Sequence, residues 1–177
     1  GGARRRGIGH RIDRDTSGLI IAAKNDAAHQ YLSAQLADHT LARTYECIVA
    51  GALREDRGTV DAPIARHPTD RKRMAISTAP AARQAYTAYR VLRRFWQYTY
   101  IACTLKTGRT HQIRVHMASI RHPLLGDTTY GPKNAMGLTG QCLHARVLGF
   151  IHPRTGEYVE FEAPLPEYFQ KLLEKYS

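Results

Sequence analysis

QAYTAYRVLRRFWQYTYIACTL, residues 84–105, holds two strand-like runs in close succession. Residues 84–95 and 98–105 are rich in tyrosine, threonine, valine and isoleucine, side chains that favour a pleated, half-buried surface. The Phe95-Trp96-Gln97 corner between them predicts an antiparallel hairpin. Further strands are expected at 44–50 (TYECIVA), 143–151 and 157–162, and a short buried one at 18–23 (GLIIAA). RHPTDRKRMAIS, residues 66–77, reads as a loop or hairpin with an exposed basic tip. Helices are expected in three places. The first is capped by Asn25 or Asp26 and runs to about His39, with Tyr31, Leu32, Gln35 and Leu36 at helical spacing. The second runs from His111 to about Ile120, with Thr110 as its cap and Ile113, Met117 and Ile120 on one face. The third is the closing EYFQKLLEKY, packing through Tyr168, Phe169, Leu172 and Leu173. Strands outnumber helices and mostly follow one another directly, so the class is α+β with a mixed or antiparallel sheet.

The 177 residues suffice for one domain with a real core, and 43% of them are hydrophobic. No apolar run approaches the ~20 residues of a membrane-spanning helix, and no apolar stretch follows the basic opening GGARRRG, so neither a membrane partner nor a signal peptide is expected. Cys47, Cys103 and Cys142 lie far apart in apolar settings without CxxC pairing, which fits buried thiols in a cytoplasmic protein and gives no zinc pattern. Lysine and arginine number 26 against 15 acidic residues, a net charge of +11. That excess favours a polyanionic partner such as nucleic acid, and its arginine-rich make-up suits bidentate phosphate contacts and stacking on bases.

Chemistry concentrates in three segments. HRIDRDTSG, residues 10–18, places Arg11, Asp13 and Asp15 at alternate positions. Neighbouring carboxylates on one strand cannot clamp a sugar from both sides, as a glycosidase pair must. Asp15 therefore reads as structural, an acceptor for following amides or a partner for Arg14. TGRTHQIRVHMASIRHPLLGDTTYG, residues 107–131, gathers Arg109, His111, Arg114, His116 and Arg121 around one helix start. His111 and His116 stand five apart, the wrong spacing for a helical metal pair, whereas a helix start with an arginine before it suits an anion. RTYECIVAG, residues 43–51, opens on Tyr45, which alone would be read as a core residue with its hydroxyl at the rim.

Together and in this order, the three segments resemble the RluA family of RNA pseudouridine synthases. HRIDRDTSG, Arg43-Thr44-Tyr45 and TGRTHQIRVH meet the family's patterns, and HPLLGDTTYG, CLHARVLGFIHP and EAPLP extend the likeness over nearly the whole chain. The resemblance implies isomerisation of uridine within structured RNA by one aspartate, with no cofactor and no metal. It assigns that role to Asp13, with Arg109 pairing with it and Tyr45 stacking on the uracil. Arg11 would enter the RNA stack as the target base leaves it, and Ile113 would pack beneath the site. His10, His111, Gln112, Arg114 and His116 would brace the site or position RNA.

The likeness is nearest to members that modify large-subunit ribosomal RNA, although tRNA-modifying relatives share these motifs. The competing class is a non-catalytic RNA-binding or ribosome-assembly module on the same scaffold; a uridine-processing hydrolase is a third. The chain opens directly onto HRIDRDTSG, so residues 1–177 are expected to be a monomeric catalytic domain trimmed at its N-terminus, with no S4-type RNA-binding domain in front.

Overall fold

The computed structural model describes residues 10–133 and 137–177. In chain order it runs β1 (Ser17–Gly18), α1 (Asp26–Ala37), β2 (Ala42–Ala50), β3 (Arg57–Asp61), β4 (Ile64–Arg66) and β5 (Met74–Ile76). There follow β6 (Tyr86–Arg94), β7 (Tyr98–Leu105), α2 (Gln112–Ser119), β8 (Leu143–Ile151), β9 (Tyr158–Glu162) and α3 (Glu167–Lys175). The expected class holds: this is an α+β fold.

Seven strands form one sheet in the order β1-β8-β2-β7-β6-β3, with β9 also pairing β8. The β6–β7 hairpin is antiparallel as the sequence predicts, and β7 carries the sheet on to β2 through Tyr45↔Cys103 and Cys47↔Ile101. β8 lies antiparallel to β2 and meets β1 in parallel, through Ser17↔His144 and Gly18↔Ala145. β4 and β5 form a separate hairpin whose tip, residues 67–73, carries the basic sequence HPTDRKR.

Two elements differ from the sequence reading. The strand expected over 18–23 shortens to Ser17–Gly18. Gly18 adopts φ +105°, and a Cβ there would sit 2.2 Å from the Ala145 carbonyl oxygen, so only glycine passes this close to β8. Ile21 and Ala23 are nonetheless buried, packed with Leu32 of α1 and with Leu148 and Phe150 of β8. The second difference is the start of α2. His111, at φ 56°, occupies the cap position without a side-chain capping bond, so Thr110 is not the cap.

The core lies between the sheet and its helices. Cys47 and Val49 of β2, Ile101 and Cys103 of β7 and Leu143 of β8 pack with Ile113 and Met117 of α2. Gln112 through Met117 are all buried, so α2 is a core helix. Phe169 of α3 is fully buried and packs with Ile48, Leu125 and Cys142. At about 25 cal/mol per Å² of apolar surface, burying a side chain of that size contributes roughly 2–3 kcal/mol.

Candidate active site

A pocket of about 830 Å³ opens where the 10–16 loop, the start of β2 and the turn before α2 converge. His10, Arg11, Asp13, Tyr45, Arg109, His111 and Gln112 all line it, so most of the residues singled out from the sequence come together.

Asp13 is presented by a turn. The Thr16 amide donates to the Asp13 carbonyl at 3.1 Å, and Asp15 takes φ 66°. Gln141 ties this turn to the body by donating to the Arg14 carbonyl at 2.6 Å and to the Thr16 hydroxyl at 3.0 Å. Asp15 points away, its carboxylate 3.8 Å from Nε of the exposed Arg14, in keeping with its structural reading.

The cation facing Asp13 is Arg114. Its Nη1 stands 3.6 Å from Asp13 Oδ2, while Nε and Nη2 grip the fully buried carboxylate of Asp127 at 2.7 and 3.0 Å. Asp127 is fixed in turn by the amides of Thr129 and Tyr130 at 3.0 and 3.2 Å. Burial lowers the Arg114 pKa, but the Asp127 carboxylate first and Asp13 after it raise it on balance, so the guanidinium is firmly charged. One arginine thus serves two carboxylates, one a buried anchor and one facing the pocket.

Arg109 lines the same pocket but does not make the expected pair. Its Nε donates to the Gln84 carbonyl at 2.8 Å, and its amide donates to Gln112 Oε1 at 2.9 Å. It sits in the turn before α2, where the guanidinium is drawn toward the segment leading into β6. Arg114 lies in the first turn of the helix, where side chains lean back toward the N-terminus and so toward Asp13.

His111 is near enough to matter. Its Nε2 lies 4.0 Å from Asp13 Oδ1, and Nδ1 shares a 2.7 Å hydrogen bond with the Tyr130 hydroxyl. Burial lowers its pKa below the ordinary 6.5, with Asp13 opposing and Arg114 reinforcing, so at neutral pH the ring is uncharged.

Tyr45 is buried between Cys103 of β7 and Ala145 of β8 while its ring lines the pocket. Burial raises its pKa above 10, with Arg43 opposing and Asp13 adding to the rise, so the phenol keeps its proton. Arg11 lines the pocket and is exposed. Gln112 and His116 are structural. Gln112 bonds Thr107, the Arg109 amide, the Tyr86 carbonyl and Thr87, and His116 is fully buried between Thr87 and the Ala62 carbonyl.

Two contributors were not singled out from the sequence: Asp127 and Tyr130. For the first, a signal was available. Arg114 follows Ile113 in a helix buried from Gln112 to Met117, so it demands a buried carboxylate, and the GDTTY turn holds one.

The chain matches a model described as RNA pseudouridylate synthase over residues 2–119. It is 54% identical to a protein of Bacillus subtilis named uncharacterized RNA pseudouridine synthase YlyB, over 98% of this chain and 56% of that one. It is 47% identical to a ribosomal large subunit pseudouridine synthase D of Zymomonas mobilis, over 97% of this chain and 56% of that one. Among solved structures it resembles human RNA pseudouridylate synthase domain containing 1 with a TM-score of 0.78, 25% identity and coverage of 96% of this chain and 79% of that one. The chain therefore spans little more than half the length of these two curated relatives.

Proposed function

This chain belongs to the RNA pseudouridylate synthase family, and from that premise we propose that it isomerises uridine to pseudouridine within structured RNA, using Asp13 as the essential carboxylate. The observation that carries the reading is Asp13 itself, set on the wall of a pocket of about 830 Å³ with Arg114 3.6 Å behind it and Tyr45 on the same wall.

The reaction breaks the bond from ribose carbon 1′ to uracil N1 and forms one from carbon 1′ to carbon 5. The proton leaves carbon 5 and N1 gains one, so product and substrate are isomers. The target base must first leave its stack, at a cost of a few kcal/mol. Arg11, planar, cationic and exposed at the rim, is suited to fill the gap and meet phosphate. Tyr45 offers an aromatic face to the uracil, a contact worth ~1–3 kcal/mol. Asp13 acts as the reacting carboxylate, with the Arg114 guanidinium 3.6 Å from it and Asp127 keeping Arg114 in place. Among the described residues lining the pocket Asp13 is the one carboxylate, so the reading has a single carboxylate at work, without a second facing it.

The substrate class best supported is large-subunit ribosomal RNA, the substrate in the printed name of the relative 47% identical to this chain. Incubating the protein with large-subunit rRNA and tRNA transcripts, then digesting to nucleosides, tests both points. Pseudouridine in the ribosomal transcript alone supports the reading. Release of free uracil would point to a hydrolase, and unmodified RNA that is nevertheless bound would point to a binding module.

A further inference from the structure

Arg43 has no visible reason to be buried. It lies in β2, 7% exposed, and among the described residues it has neither an ion pair nor a hydrogen bond; its Nε is fully enclosed and unpartnered. Among the other enclosed arginines, Arg73 also leaves its Nε unpartnered, with its guanidinium over the Tyr130 ring, whereas Arg114 and Arg146 are ion-paired. Arg114 grips Asp127, and Arg146 meets Glu46 at 3.6 Å and Glu162 at 2.6 Å. A buried cation without a counter-charge costs several kcal/mol, and an anion entering the pocket would relieve that cost.

The surroundings leave room for one. Arg43 lines the same pocket as Asp13 and Tyr45. A Cβ on Gly108 would lie 2.4 Å from Arg43 Nη1, so the absence of a side chain at 108 gives the guanidinium its position. His10, 9% exposed, stands on the same wall with a second buried unpartnered atom, Nδ1. Arg43 and Tyr45 are two residues apart on one strand and both turn inward, a separation of roughly 6–7 Å from the rise of a β-strand. That is comparable to the span from a uracil ring to the phosphate of its own nucleotide.

We propose that Arg43 anchors the phosphate of the target nucleotide, its planar fork holding two phosphate oxygens while Tyr45 faces the uracil. This rests on the reading of the pocket as the uridine site and adds to it a backbone subsite inside the pocket. A guanidinium is matched to phosphate in both charge and donor geometry.

The test is a titration of the ¹⁵N-labelled protein with uridine 5′-monophosphate and with uridine, followed by NMR. The Arg43 Nε–H resonance is assigned by its loss in Arg43→Lys. The nucleotide should bind about tenfold or more tightly than the nucleoside and shift that resonance, as expected for a charge-assisted contact. Arg43→Gln should erase the preference while leaving uridine binding intact. Equal behaviour of the two ligands in the unsubstituted protein, whether both bind or neither does, overturns the proposal, and this comparison requires no variant to fold. Tritium release from RNA labelled at uracil carbon 5, measured on the same preparation, separates the two readings. Release without phosphate preference removes only the anchor, and preference without release removes only the isomerase.

Discussion

At the scale of single residues, Arg114 is the hinge of the site. It satisfies a carboxylate with no exposure, Asp127, and directs its remaining charge at Asp13. Asp127→Asn should therefore destabilise the protein by about 3–5 kcal/mol in urea unfolding, because the arginine is left buried without its counter-charge, and tritium release should fall with it. Arg109→Ala should cost less than about 1 kcal/mol, since its Nε makes one exposed bond to a carbonyl. Equal losses in the two variants would contradict the assignment of Arg114 over Arg109. His10 gives a pH signature. Burial first, and Arg43 second, hold its pKa at about 4 instead of the ordinary 6.5, against a hydrogen bond to the Leu19 backbone. With the folded value below the unfolded one, the unfolded chain takes up the proton first. The stability at stake is full above pH ~6.5 and is lost as pH falls toward ~4, by roughly 3 kcal/mol at about 1.4 per pH unit. Unfolding of His10→Asn should show a flatter acid limb across that window. His111 and His116 shift in the same direction, so some slope should persist.

At the scale of elements, the sequence is most legible where one side chain fixes one geometry. Asn25 caps α1 through a 2.8 Å bond from the Ala28 amide, and Asn25→Ala should cost about 1 kcal/mol in thermal or urea unfolding. The strands over 42–50, 86–94 and 98–105 show alternation or apolar runs, and they stand where the pattern predicts. Legibility fails where tertiary contacts decide. The apolar run GLIIAA signals burial, but its backbone leaves the sheet after Gly18, and periodicity does not record that turn. β3, with Gly58 and Asp61 in its five residues, is made by pairing with β6 more than by propensity. The site shows the same limit. Two arginines five residues apart could face Asp13, and tertiary contacts choose between them: Asp127 holds Arg114 beside it, while the Gln84 carbonyl holds Arg109 elsewhere.

At the scale of the whole molecule, the sheet brings to one pocket residues that lie about a hundred positions apart, from His10 to Gln112. α3 seals the side formed by Ile48, Leu125 and Cys142 through Phe169 alone among its fully buried residues, so Phe169→Ala should cost about 3–5 kcal/mol and lower the melting temperature. The net charge of +11 predicts RNA affinity that falls steeply with salt, each neutralised phosphate adding about −0.9 to the log–log slope on duplexes and −0.7 on single strands. A nearly flat salt response in filter binding would count against a basic RNA-facing surface. The most direct measurement is tritium release from large-subunit rRNA labelled at uracil carbon 5, comparing the protein with its Asp13→Asn variant. The account predicts release by the first and none above the enzyme-free blank by the second. Equal release by both would contradict it.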